Sequence, residues 1–361
     1  MPSKTPSAAV EPETLVRIYE KMLLSRQLDE ILAQTRLLGN PFYIGSTFEE
    51  PLVILGMLME VGSGLEHDVL AAYYRSLPIL VGMGMEPAAF MRQAAMRQSD
   101  PFSAGRQMVN HFSEPELNVM PVSSCVTVQA GKGFGAALVQ KMQARKPVLT
   151  VVHIGDAMCA EADYWVMLQE MVLRELPVLV VISNNAAGIH TPYDQGSAAA
   201  CQSAWGVGVQ IAGAAVPEDK NLLRYLQSYT PQLPIPEVKY VPAPRPGWQI
   251  VDGSDVLSVY RSARVAFDYV RQQRKPFVLE YRTERGRHHS SSSNPSGQIL
   301  EAVQDKDPLV MFETELQAQK ILSAEQLQTL KNNLQSELQH LISQVKTEPP
   351  AEDARSGMYY A

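Results

Sequence analysis

Two short apolar runs constrain this chain more than any other feature. Pro147 to Ile154 and Pro177 to Ile182 are hydrophobic at consecutive positions, not at alternate ones. A strand with one wet face alternates apolar and polar residues, so an unbroken run of strand length demands burial on both faces. Between the runs, Ala160 to Glu175 is helix-like. Strand, helix, strand with both strands buried describes a parallel pair covered by helices. A second such unit follows: Trp248 to Val251 as strand, Asp255 to Arg274 as helix, Pro276 to Tyr281 as strand. Two βαβ units predict an α/β fold, a doubly wound and mostly parallel sheet covered by helices.

The rest of the chain reads mainly as helix. Leu15, Ile18, Tyr19, Met22, Leu28, Ile31 and Leu32 recur at helical spacing between Glu11 and Leu38, and Gly39 is a stop. Residues 50–98 read as helices broken by Gly-containing turns, Gly131 to Lys141 as a small-residue helix, and 323–346 as a polar helix. Residues 1–10 are expected to form a flexible tail, 11–346 one α/β domain, and 347–361 a C-terminal tail. Seven prolines, Pro217, Pro231, Pro234, Pro236, Pro242, Pro244 and Pro246, mark an insertion at about 213–247 around a short helix, Lys220 to Ser228.

Composition removes several classes. Hydrophobic residues make up 45% and charged residues 19% of the 361, which excludes a disordered chain. The net charge of −7 without a basic stripe argues against nucleic acid as partner. Cys125, Cys159 and Cys201 are too few for a disulfide framework, lack zinc-site spacing and read as reduced thiols. No apolar run approaches the roughly 18 residues that span a bilayer. Glu11 and Glu13 argue against a transit peptide, so a cytoplasmic protein without membrane contact is expected.

The chemistry gathers at the ends of the two apolar strands. The first ends in Gly155-Asp156-Ala157 and the second in Asn184-Asn185. Ligands of parallel α/β sheets bind outside the carboxyl ends of the strands, which brings Asp156 and Asn185 to the binding edge. A carboxylate with an amide carbonyl is oxygen ligation suited to magnesium, whose shell phosphate and water complete. Gly155 and Ala157 would bring backbone close to such phosphates beside a helix N-terminus. Taken singly, Asp156 could equally cap a helix and the Asn pair sit in a loop. Arg75 has a fork that matches phosphate oxygens, or a surface ion pair. Ser123 and Ser124 could cap a helix. His288 and His289 lie in a basic, Ser-rich loop from Arg282 to Ser293, either simply solvated or able to move protons near neutral pH.

Residues 157–183 separate Asp156 from Asn184. That interval matches the thiamine diphosphate motif, Gly-Asp-Gly followed by a βαβ stretch and Asn-Asn. Over about residues 11–212 and 248–330 the chain resembles the alpha subunits of 2-oxoacid dehydrogenase complexes. The motifs agree in order: Phe42-Tyr43-Ile44-Gly45-Ser46, Tyr74-Arg75, Asp100 through Met108, Ser123-Ser124 with Gln129, the Asp156 and Asn185 motifs, Val251 through Val256, and His288-His289-Ser290. The resemblance implies a thiamine diphosphate-binding fold with thiamine diphosphate and magnesium as cofactors. It places magnesium on Asp156, Asn185 and the backbone carbonyl of Ala187. It sets Arg75, Tyr74 and the turn Gly155-Asp156-Ala157 at the diphosphate, Ser124 and the Val126 carbonyl near the aminopyrimidine ring, and His289 near the reaction centre as the catalytic residue.

The resemblance also implies the reaction: oxidative decarboxylation of a 2-oxoacid and acyl transfer to a lipoyl group on an acyltransferase component. In that family the acid that activates the cofactor lies on a separate beta subunit. No beta-like half is found here, so the site is expected at an interface within a heterotetramer of two alpha and two beta chains. Ser123-Ser124 with Gln129 resembles branched-chain members, which are favoured over pyruvate and acetoin dehydrogenases. The Ser290 position is a phosphorylation site in mitochondrial members, and that regulation is not expected here.

Departures from the family pattern keep another reading open. Ala157 and Ala162 stand where glycines are usual, and Ser76 where an acidic residue is common. Phe48 and Pro51 interrupt a Gly-x-Glu-Ala stretch, and Trp165 and Gln169 replace His and Asn. The proposed metal ligands are untouched, but a degenerate paralogue that binds a beta subunit without turnover would also fit. A nucleotide-binding protein using Asp156 for magnesium is a third reading, opposed by the lack of a Gly-rich phosphate loop ending in Lys. The stretch from Thr283 to Pro295 lacks an apolar anchor, so the His289 loop is expected to be mobile when empty, with Arg285 and Arg287 free to meet phosphates.

Overall fold

The apolar runs become the middle of a six-stranded sheet in the computed structural model, which describes residues 10–39, 42–189, 191–192, 247–291 and 298–352. The strands are β1 (Val69–Ala71), β2 (Val119–Met120), β3 (Thr150–Gly155), β4 (Val178–Asn184), β7 (Gly247–Asp252) and β8 (Phe277–Arg282). A small antiparallel pair, β5 (Ala187–Gly188) and β6 (Thr191–Pro192), lies outside it. The sheet order is β2-β1-β3-β4-β8-β7 and every pairing within it is parallel. The expected Pro-rich insertion, apart from Gly247, lies outside the described residues, as do its helix and Cys201.

Burial on both faces of the sheet explains the unbroken apolar runs. In β4, Val178, Val180 and Ile182 face one core while Leu179 and Val181 face the other. The first core is closed by α6 (Val128–Gln143) and α7 (Ala162–Leu173). The second is larger and takes α1 (Pro12–Ala33), α3 (Val53–Leu58), α4 (Leu77–Met83), α5 (Pro87–Ala94), α8 (Val256–Gln273), α9 (Pro308–Ala318) and α10 (Ala324–Thr347). Asp255 caps α8 by accepting from the N–H groups of Leu257 and Ser258, and Ser323 caps α10 in a reciprocal box with Gln326.

Several elements differ from expectation. The helix read over Glu11 to Leu38 is broken at Gln34, whose backbone leaves the helical region, and resumes as α2 (Thr35–Leu38). The stretch 50–98 is not all helix: Val69–Ala71 is a strand, too short to show a period. The C-terminal segment is not loose where described. Glu348 takes a bidentate contact from Arg92 at 2.9 and 3.0 Å, and the Ala351 N–H donates to the Met96 carbonyl at 2.7 Å.

The winding fixes where a ligand can bind. After β1 the chain passes through α4 and α5 to β2 on one side, whereas after β3 it passes through α7 to β4 on the other. Between neighbours whose connections leave in opposite directions the sheet opens a crevice at its carboxyl edge. Tyr73, Tyr74 and Arg75 leave β1 there, and Asp156 leaves β3.

Candidate functional site

A cavity of about 470 Å³ lies at that crevice. Its lining includes Tyr74, Arg75, Ser124, Val126, Asp156, Ala157, Asn185, Ala187 and His289. Of the ten residues that the resemblance assigns to cofactor, metal and reaction centre, only Gly155 is not on the wall. Gly155 is buried at the end of β3, where a Cβ would come within 2.8 Å of the Tyr73 hydroxyl. Ala157 packs against the facing strand β5, where a Cβ added to Gly188 would lie 3.0 Å from the Ala157 methyl.

Asp156 opens a short 3-10 helix, Asp156–Ala160, and is buried. Its Oδ2 has no hydrogen-bond partner among the described residues, and neither does Oδ1 of Asn185. Buried oxygens without donors are costly unless a ligand satisfies them. Burial pushes the Asp156 carboxyl up to about 6, against the backbone N–H groups of Asp156 and Asn185 and the charges of Arg285 and Arg75. The preceding residue, Asn184, is spent on structure: its Nδ2 donates to Glu280 Oε1 at 2.7 Å and its Oδ1 accepts from the Ala186 N–H. Two adjacent asparagines thus divide into a scaffold residue and one that faces the cavity with a vacant acceptor.

Arg75 is buried at 4% exposure. It donates to the Gly45 carbonyl and, at 3.2 Å, to the His289 carbonyl, and the same nitrogen lies 3.2 Å from His289 Nδ1. Its guanidinium stands 5.6 Å from the Tyr74 ring centre, and Tyr74 meets the His289 ring edge-on at 6.1 Å. Beneath lies Glu49, whose carboxyl burial pushes up to about 7 against the pull of Arg75 and Ser183. Ser183 also meets His153 Nε2 at 2.8 Å, and His153 Nδ1 meets Ser76 Oγ at 2.7 Å. Burial holds the His153 imidazole down at about 3, so a neutral ring bridges the strand ends under the site.

Ser124 does not cap α6, whose N-cap is Thr127. Its hydroxyl meets Nε2 of His111 at 2.6 Å. His111 is a cavity residue that the sequence reading missed, as is Glu161; Phe42, Ile44 and Met108 belong to the quoted motifs but carried no assigned role. A lone histidine three residues past the Asp100–Met108 motif gives no signal of its own; only its delivery opposite Ser124 marks it. Gln129 holds the serine turn by donating to the Ser123 carbonyl at 3.0 Å. Trp165, at a position of departure, donates to the Cys159 carbonyl at 3.0 Å and so closes the 3-10 turn that begins at Asp156.

The arginines of the histidine loop have separate jobs. Arg285 points its charge toward Asp156 and donates to the Ile189 carbonyl at 2.7 Å, at the cavity lip. Arg287 does not face the cavity: it is buried and its Nε donates to Thr47 Oγ1 at 2.8 Å. The described part of the loop is tied to the 43–47 loop at Gly286 and at Ser291; residues 292–297 lie outside the described residues.

A crevice at the switch point of a doubly wound sheet, lined by a carboxylate, an amide oxygen and a buried arginine, defines an α/β protein with a polar ligand-sized cleft at the carboxyl edge of its sheet. Comparison with known proteins identifies which kind. Residues 19–219 and 246–353 match the family described as Dehydrogenase E1 component, and the chain belongs to that family. It is similar to the 2-oxoisovalerate dehydrogenase subunit alpha of Bacillus subtilis, 25% identical over 345 residues that cover 93% of this chain and 92% of that protein. It is 26% identical to the mitochondrial 2-oxoisovalerate dehydrogenase subunit alpha 2 of Arabidopsis thaliana over 94% of this chain and 65% of the relative. The human mitochondrial alpha subunit of that name is 25% identical over 82% of this chain and 57% of its own length.

Proposed function

We propose that the chain is the alpha subunit of a thiamine diphosphate- and magnesium-dependent 2-oxoacid dehydrogenase acting on branched-chain 2-oxoacids and passing the acyl group to a lipoyl carrier. The observation that carries this reading is the pair of buried, partnerless oxygens, Asp156 Oδ2 and Asn185 Oδ1, on one cavity wall. A carboxylate and an amide oxygen with a nearby backbone carbonyl at Ala187 are hard donors that fit magnesium, which takes its remaining ligands from phosphate and water. Arg75 fits the diphosphate, since its planar fork matches phosphate oxygens and already sits in the wall. Ser124 and the Val126 carbonyl fit the amino-substituted ring. Bound thiamine diphosphate supplies the nucleophilic carbon and the electron sink for loss of carbon dioxide.

The protein's own work is placement and exclusion of water. Tyr73 and Tyr74 pack with ring centres 4.0 Å apart at the end of β1 and wall the crevice. His289, held against Arg75 and Tyr74, is the group that exchanges protons beside the reacting end. Phe42, Ile44, Met108, Val126 and Ile189 give the cavity an apolar side that suits an aliphatic 2-oxoacid. The beta subunit and the lipoyl-bearing acyltransferase are the proposed partners, in a heterotetramer of two alpha and two beta chains. In this reading the activating acid is supplied by the beta subunit. A cytoplasmic location is part of the same reading; among the described residues no helix is long and apolar enough to cross a membrane.

Reconstitution tests the proposal. The chain with its beta subunit should decarboxylate 2-oxoisovalerate faster than pyruvate, with dependence on thiamine diphosphate and magnesium. The chain alone should bind thiamine diphosphate poorly by calorimetry. Tight binding that restores no turnover with the beta subunit would favour the degenerate paralogue, for which the Ala157 and Ala162 positions are the motive.

A further inference from the structure

One buried carboxylate outside the cavity is tied to two loops that contribute residues to its wall. Asp29 lies on α1, is 1% exposed and does not line the cavity. Its Oδ1 accepts from the Ser46 N–H at 2.9 Å, and its Oδ2 accepts from the Tyr43 hydroxyl at 2.7 Å and from the Thr47 hydroxyl. Arg287 Nε stands 3.8 Å from the same Oδ2 while donating to Thr47. A single carboxylate therefore fixes three residues of the 43–47 loop and faces one of the histidine loop.

These two loops are laced together. The Gly286 N–H donates to the Thr47 carbonyl at 3.3 Å, the Ser291 N–H to the Tyr43 carbonyl at 2.9 Å, and the Tyr43 N–H to Ser291 Oγ at 3.0 Å. His289 is carried between these two ties, over Arg75, which donates to Gly45 in one loop and to His289 in the other. We infer that Asp29 is the positioning residue for His289: through Arg287 and the 43–47 loop it holds residues 286–291 as a strap that sets His289 in the cavity wall. The inference rests on the proposed role of His289. Nothing in the spacing of the sequence links positions 29, 47 and 287; only the fold does.

The physical case is one of preorganisation. A segment of Ser, Arg and Gly without an apolar anchor has little burial to order it, so polar ties must do so. A buried carboxylate that accepts from three donors and faces a guanidinium can supply them, because charge-assisted hydrogen bonds are about twice as strong as neutral ones. Holding His289 in place beforehand lowers the ordering cost at the reacting geometry.

The test is hydrogen exchange on the full-length chain, read on fragments covering 43–47 and 283–291, for wild type, Asp29→Asn, Arg287→Gln and the double variant. Either single substitution should speed exchange of both segments by roughly tenfold or more, the scale of one lost charge-assisted hydrogen bond. Exchange of β3 and β4 should not change, and the double variant should exchange no faster than the faster single. Arg287→Lys should recover part of the protection. With beta subunit, acyl transfer should slow in the same variants while the KM for the 2-oxoacid changes less. Unchanged exchange in the strap, an equal rise in β3 and β4, or a loosened strap with undiminished transfer would overturn the inference. If the wild type shows no transfer at all, the proposed function fails instead, and exchange alone still decides whether Asp29 holds the strap.

Discussion

Replacing Asp156 by Asn should make the free chain more stable and at the same time weaken the proposed magnesium-dependent binding of thiamine diphosphate. The carboxyl is buried and its folded pKa is raised from 3.8 to about 6. A group whose folded pKa is raised contributes stability that is fully present below its unfolded value and is lost as pH rises through the folded value. At pH 8 the wild type has lost that contribution, about 3 kcal/mol for some two pH units at 1.36 kcal/mol each. The asparagine escapes it, less about 1 kcal/mol for an amide that inherits the partnerless position of Oδ2. The expected net gain is roughly 2 kcal/mol at pH 8, crosses zero at about pH 4.5 and becomes a small loss of roughly 0.5 kcal/mol at pH 4. Urea unfolding of both proteins at pH 8 and pH 4 without magnesium measures it. Removing the anionic ligand should weaken magnesium-dependent thiamine diphosphate binding by about 10²-fold or more, on the scale of a deleted charged contact. A variant less stable than wild type at pH 8 would refute the reasoning, because it would mean that the carboxylate serves the scaffold and has an internal partner.

Three other perturbations probe separate parts of the account. Folded His153 titrates at about 3 against about 6.5 unfolded, so its contribution is full above pH 6.5 and drains away as pH falls toward 3; His153→Gln should flatten the acid limb of stability by on the order of 1 kcal/mol per pH unit in that window. Arg26→Ala leaves the buried carboxylates of Glu50 and Asp307, now held at 2.6 and 2.8 Å, without their cation, and should cost about 3–5 kcal/mol in urea unfolding. His289→Ala should slow single-turnover acyl transfer by roughly 10²-fold with much less effect on cofactor affinity, and His288→Ala should be milder; the reverse order would move the role to His288.

What could be read from the sequence follows from the range of each signal. β3 and β4 were legible because both faces are buried, which leaves every position apolar, and Asp156 and Asn185 followed from their place at those strands' ends. β1 and β2 were not, since three and two residues are too few for any period. The switch point depends on both, so the crevice itself was not derivable. Glu49, between Phe48 and Pro51, carried no role in the sequence, whereas folding buries it beside Arg75. Arg287 resembled a phosphate ligand because its neighbours are polar; its contact with Thr47, 240 positions away, makes it a fastener. Long-range polar contacts leave no local pattern in the chain.

The central claim is that the cavity holds thiamine diphosphate through a magnesium ion on Asp156 and Asn185. Calorimetric titration of thiamine diphosphate into the chain mixed with its beta subunit tests it most directly, with magnesium, with chelator, and with Asp156→Asn. The account predicts saturable binding of one cofactor for each alpha chain, lost with chelator and at least about 10²-fold weaker in the variant. Binding that is indifferent both to chelator and to the substitution would contradict it.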